Sequence, residues 1–231
     1  MPVGVIVNCL SVLIGGFVGA ALTRTLSDKL KSDLSILFGF CSIAIGINSI
    51  IKAQAMTAVV LAILGGFIIG HILNLDTAAI HFFRWLVETL RLGRENIDMD
   101  MYITVVALFC CSGFGWYSTL IEGIAGDTSL LFSKSVLDFF TALVFAAALG
   151  RAVCVIAGPQ ILVLLVIFGV GRMAGAWITL GMFADLSACG GSLTLAAGMR
   201  VAKIKSVPLV NLIPSLILVM PLSALWTTLM G

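Results

Sequence analysis

The chain has 231 residues, 61% of them hydrophobic and only 10% charged, with a formal net charge of +2 and a mean hydropathy of +1.19. A soluble domain is about 45–50% apolar and about 25% charged, so this chain has too little charge to cover a water-facing surface and must be solvated by lipid. A net charge this small gives no reason to expect a nucleic-acid partner, and the continuous apolar runs, which lack the alternation of barrel strands, exclude a transmembrane β-barrel. The expected class is an all-α polytopic membrane protein.

At roughly 20 residues per spanning helix, eight spans are predicted, near 3–22, 34–51, 56–75, 101–121, 129–150, 155–177, 186–202 and 208–229. The first run is followed, not preceded, by Arg24, Lys29 and Lys31. That is the wrong polarity for a cleaved signal peptide, so the run is expected to stay as a span. Spans two and seven are short and carry glycine. Within 76–100, the stretch from His81 to Arg91 places aromatic and apolar residues at helical spacing, with Arg84, Glu88 and Arg91 on another face. This suits a helix lying at the membrane interface, although a solvated connector would read similarly. His71 and His81 flank a helix end, where histidine complements the dipole.

Lys and Arg accumulate in cytoplasmic loops. With the N-terminus outside, eight spans put Arg24, Lys29, Lys31, Arg84, Arg91, Arg94, Arg151, Arg200, Lys203 and Lys205 inside. Only Lys52 falls in an outer loop, with Glu122, Asp127 and Asp185. One span more or fewer would scramble this bias, so both termini are expected outside, which is periplasmic in a bacterial inner membrane.

Shifting the chain against itself by 152 residues lays Asp33-Leu34-Ser35 on Asp185-Leu186-Ser187, Gly39 on Gly191, Ala44 on Ala196, Gly46 on Gly198 and Gly19 on Gly171. Five crossings separate the two units, so the repeat is expected to be inverted. Residues 1–75 form the first three-helix unit and 151–231 the second, with a connector at 76–100 and a central two-helix unit at 101–150. Inverted repeats are the building plan of many secondary transporters, though fold analogy alone does not establish transport.

Two groups of residues could carry chemistry. The glycine-rich starts of spans two and seven hold Gly39, Ser42, Gly190, Gly191 and Ser192. If unwound there, they would present half-helix N–H donors to an anion. The alternative is close helix packing, with Asp33 and Asp185 as N-caps in company with Ser35 and Ser187. In span five, Lys134 and Asp138 are four apart and share a helix face. Lys134 is shallow enough to snorkel out, whereas Asp138 lies near the bilayer centre and needs a partner. Lys134 and Arg172 are the candidates. Asp138 is then either a proton- or ion-coupling carboxylate or half of a static ion pair.

Weaker signals are the small-residue spacings at Gly15-Gly16-Gly19, Gly66-Gly70 and Gly171-Gly175, and the isolated amides Asn48 and Asn211. Pro159 suits a helix start, Pro214 and Pro221 suit kinks in span eight, and Trp116, Trp177 and Trp226 suit interfacial anchoring. The six cysteines show no metal or redox spacing and read as small buried residues; no cofactor is implied. Nucleophile-elbow and metalloprotease motifs are missing, so an enzyme is not expected.

Three stretches carry a resemblance. They are Gly123-Ile-Ala-Gly-Asp-Thr-Ser-Leu-Leu-Phe-Ser-Lys-Ser-Val-Leu-Asp138, Gly190-Gly191-Ser192-Leu193 with Gly198, and Asn211-Leu-Ile-Pro214. Together they resemble the bacterial inner-membrane family of unknown function that includes YqgA and YdfK, with Ser192 departing from that family's Gly-Gly-Leu. The resemblance implies an inner-membrane location and no settled substrate. The first functional reading is a secondary transporter or channel for a small solute or ion; the second is a non-transporting scaffold, sensor or assembly protein. The small size of the chain suggests a homodimer.

Overall fold

The computed structural model describes residues 1–23, 25, 27–89, 98–174 and 178–230, and helix is the only regular secondary structure among them. Arg24, Arg91, Arg94, Gly175 and Trp177 lie outside the described residues. The helices are α1 (Val3–Leu22), α2 (Asp28–Ile50), α3 (Met56–Ile72), α4 (Leu75–Thr89), α5 (Met99–Cys110), α6 (Gly113–Ala125), α7 (Ser129–Leu149), α8 (Ala152–Val155), α9 (Ala157–Ala174), α10 (Leu180–Val201) and α11 (Ile213–Met230). Seven segments are long and apolar enough to cross a bilayer: α1, α2, α5 with α6, α7, α8 with α9, α10 and α11. The pair α3 and α4, bent by 61°, supplies an eighth.

Polar contacts near the helix ends show which ends share a face. The Glu122 carboxylate accepts from Gly4 N at 2.7 Å and Val5 N at 3.2 Å, joining the start of α1 to the end of α6. Asp185 Oδ1 accepts from Gln54 N and Ala55 N, both at 2.8 Å, joining the start of α10 to the start of α3. On the opposite face, Arg200 pairs with Asp100 at 3.0 Å and Tyr102 donates to Ala152 O at 3.1 Å. Thr23 donates there to Ala146 O, and Asp76 N donates to Asn211 Oδ1 at 3.0 Å. The end of α3 and the start of α5 therefore share one face, and α4 leaves the direction of α3 there at the 61° bend. Phe83 and Val87 of α4 are buried while Arg84 and Glu88 are exposed, the division expected of an interfacial helix.

Helix contacts are built on glycine. Gly15 and Gly19 of α1 press against the backbone carbonyls of Phe139 and Leu143 in α7, and Gly66 and Gly70 of α3 against Ser215 and Asn211. Between α2 and α10, a methyl at Gly39 would lie 2.9 Å from Gly198 O, and one at Gly46 would lie 2.7 Å from Gly191 O. Without a hydrophobic force between helices in lipid, such backbone approach is what holds a bundle together. Gly19→Ala, which in an isolated helix would stabilise by about 1 kcal/mol, is expected instead to destabilise by about 1–3 kcal/mol. A thermal-unfolding midpoint in detergent reads the sign directly.

Several sequence expectations change here. The second and seventh spans are not broken, because α2 and α10 run unbroken through Gly39, Gly190 and Gly191. Both begin about one and a half turns earlier than predicted, since the caps are Ser27, accepting from Leu30 N, and Thr179, accepting from Met182 N. Asp33 and Asp185 are therefore inside helices and cap neither. The fourth span is the broken one: it runs from Met99 to Ala125 and is interrupted at Cys111 and Ser112. Pro159 sits in the first turn of α9 and Pro214 in that of α11, while Pro221 lies inside α11. Trp116 is not an interfacial anchor; its indole donates to Cys110 O at 2.8 Å, satisfying a carbonyl freed by the break. Cys41 is exposed, whereas the other five cysteines are buried.

Candidate functional site

The polar core lies where α1, α7 and α9 meet the α5–α6 break. In α7, Asp138 is nine residues into the helix, about 13 Å along its axis, and the i,i+4 spacing brings Lys134 onto the same face. Their side chains are 7% and 2% exposed, and Lys134 Nζ donates to Asp138 Oδ2. Lys134 thus does not snorkel outward; it turns into the protein. Gly115 makes the room, since a methyl there would sit 2.7 Å from Lys134 Cε.

Arg172 takes no part in this pair. It is exposed and lines a separate cavity with Glu122, Gly126 and Met1 at the end of the bundle. Its distance along α9 explains the miss: the position of α9 that faces Asp138 is Gln160, three turns earlier. Gln160 Nε2 donates to Asp138 Oδ2 at 3.4 Å and to Asn8 Oδ1 at 2.9 Å, and Asn8 Nδ2 donates to Asp138 Oδ2 at 2.8 Å. One carboxylate oxygen therefore gathers an ammonium and two amides. Asn8 and Gln160 are both fully buried, and Gln160 Oε1 has no partner among the described residues. Neither amide was singled out from sequence, although each is a lone polar group inside an apolar run.

Beside the pair lies a cavity of about 50 Å³, lined by Phe38, Ser42, Ser112, Lys134, Asp138 and Thr194 among others. A water needs about 10–15 Å³ on this measure, so a guest of a few heavy atoms fits. Ser42 donates to Phe38 O at 3.0 Å and Thr194 to Gly190 O at 2.9 Å, leaving their oxygen lone pairs as acceptors. Ser112 caps α6 by accepting from Gly115 N at 3.2 Å. The break has a recognisable signal: Ser112 followed by Gly113, inside an apolar run, is an N-cap pattern.

The other predicted residues have packing or capping positions. Gly190 meets Gly113 backbone to backbone, Gly39 meets Gly198, and Gly191 meets Gly46. Ser35 donates to Lys31 O and Ser192 to Ala188 O, in-helix bonds that leave no free donor; Ser187 is buried nearby. Asp185, fully buried, accepts from Gln54 N, Ala55 N and the Ser223 hydroxyl (2.6 Å), so it caps α3 rather than its own helix. Asp33 is exposed. Asn211 bonds Asp76 N between helices, whereas Asn48 is exposed with no hydrogen bond to the described residues. Glu122, expected in an outer loop, is only 2% exposed because it caps α1. No group of three or more His, Cys, Asp or Glu side chains that could hold a metal occurs among the described residues.

A family described as a protein of unknown function, DUF554, matches residues 3–224. The chain is a member of the DUF554 family. Its relatives include the uncharacterized protein YqgA of Escherichia coli (strain K12), 38% identical over 231 residues that span 98% of each chain. Another is the uncharacterized membrane protein YdfK of Bacillus subtilis (strain 168), 27% identical over 228 residues and 93% of each chain. No solved structure matches. This DUF554 chain is thus a multi-pass helical membrane protein of an uncharacterized family, as its resemblance to YqgA and YdfK implied.

Proposed function

We propose that this DUF554 protein is a secondary transporter or channel for a small solute or ion in the bacterial inner membrane, with Asp138 as a coupling carboxylate. The observation that carries the reading is the buried Lys134–Asp138 pair, near mid-span, beside a small cavity at a helix break whose walls are largely apolar. Charge at that depth costs several kcal/mol, and irregular backbone at membrane depth is tolerated where it is buried in protein or lines a wet cavity. Asp138 Oδ1 accepts no hydrogen bond from the described residues and is the oxygen on which a proton can land. The titratable groups facing the pair from neighbouring helices are the thiols of Cys9 in α1 and Cys110 in α5.

Contact geometry supports an inverted repeat in the register of 152. That shift carries Asn8 onto Gln160, which touch each other, as residues on a two-fold axis would. It exchanges the contact Gly39–Gly198 with Gly191–Gly46. It also carries Gly19, packed on the Leu143 carbonyl, onto Gly171, packed on the Leu120 carbonyl. Two halves so related can exchange packings and so alternate access to a site between them. The face holding Lys29, Lys31, Arg84, Arg151, Arg200, Lys203 and Lys205 is then cytoplasmic and both termini are periplasmic.

Reconstitution tests this. In proteoliposomes, imposed gradients of sodium, potassium or chloride are expected to drive flux, read by a pH-sensitive dye for protons and by ion-selective electrodes for the ions. Asp138→Asn should cut that flux at least about tenfold, the scale of removing a site that works in only one charge state. Wild-type vesicles no leakier than empty ones, for every gradient tried, would move the assignment to a scaffold or assembly role.

A further inference from the structure

The donors around the cavity identify the chemistry of its guest. Of the first two residues of α6, Phe114 lines the cavity and its N–H has no acceptor among the described residues, whereas Gly113 is packed against Gly190 of α10; Gly115 N is taken by Ser112 Oγ. Such groups are normally left at a helix start, but here the start lies mid-span, where an unsatisfied N–H is expensive. Lys134, 2% exposed, spends one donor on Asp138 and has two more with no described partner. The Ser112 hydroxyl accepts a bond but donates none. On the acceptor side, the Asp138 charge is compensated at Oδ2 by three donors. A cation in the cavity would have Asp138 Oδ1 and the lone pairs of Ser42 and Thr194 as compensation but would face the ammonium and the positive end of α6. The donors left without acceptors are offered to an anion.

We infer that this cavity binds a small monovalent anion, held by the Lys134 ammonium, the Ser112 hydroxyl and the free N–H of Phe114 at the start of α6. The inference rests on reading the cavity as the solute site, and it names the solute class. Volume restricts the guest to a halide, nitrate or a one-carbon carboxylate, since about 50 Å³ holds only a few heavy atoms. Gly115 is part of the device, because any side chain there would displace Lys134.

The experiment is thermal unfolding of the purified full-length protein in detergent, at constant ionic strength, with sodium chloride, nitrate or formate replacing gluconate. At a hundredfold excess over Kd, a native-state ligand should raise the midpoint by about 5–10 °C in a chain of this size. Ser112→Gly keeps an acceptable N-cap while removing the hydroxyl, and should weaken the half-saturating concentration about tenfold. N-methylglucamine replacing sodium should leave the shift unchanged. No shift with any of the three anions, or a shift that follows the cation, overturns the inference. An anion shift without flux in vesicles would instead keep the site and remove the transport reading; cation flux without an anion shift would do the reverse.

Discussion

Asp138→Ala is expected to destabilise the protein by about 3–5 kcal/mol, because it leaves the Lys134 ammonium buried without a counter-charge. Asn8 and Gln160 would lose their common acceptor in the same step. The double variant Lys134→Met, Asp138→Leu should recover most of that loss, since apolar replacement of a buried ion pair is often neutral or better. If the pair were only structural, the recovered double variant would keep whatever activity the wild type shows. If Asp138 couples transport, the double variant is stable and inactive. Equilibrium unfolding in a denaturing detergent, read beside vesicle flux, separates stability from activity.

Asp185→Ala should cost about 2–4 kcal/mol, because two backbone N–H groups and a hydroxyl lose a shared buried acceptor. Asp33→Ala, at the position 152 residues earlier, should change stability by less than about 0.5 kcal/mol, as exposed substitutions do. The contrast is informative. Identical residues at a shift of 152 have different roles, one capping a neighbouring helix and the other left exposed. Asp185→Asn, which keeps one acceptor oxygen, should lose about half as much as alanine. Thermal midpoints of the three variants in one detergent make the comparison.

Composition and charge placement were enough to read the membrane class, the spans and the Lys134–Asp138 pair, because apolar runs and i,i+4 spacing are local properties. What could not be read locally was partner choice. Arg172 looked like a counter-charge because charge is scarce, but it lies three turns further along α9 than Gln160, which meets Asp138 instead. Asn8 and Gln160 sit in apolar runs of different spans, and nothing local in either run shows that they meet. Glycine at Gly39, Gly190 and Gly191 left two readings open in the sequence, an unwound start or close packing, and the structure has the close packing of continuous helices. The real break needed only Ser112 and Gly113, a capping pattern that hydropathy conceals. Asp185 and Glu122 show the same limit, since each caps a helix distant in sequence.

Transport through this protein requires that water reach the cavity beside Lys134 and Asp138, and thiol labelling tests that most directly. A single cysteine at Ser42, in a background lacking the six native cysteines, should react with a charged, membrane-impermeant thiol reagent in both right-side-out and inverted vesicles. A control cysteine at Phe40, on the exposed side of the same helix, should remain unmodified. Modification from both faces places Ser42 on a passage that opens to each side. Protection from both faces, in a folded protein, would mean a sealed polar core and would contradict transport.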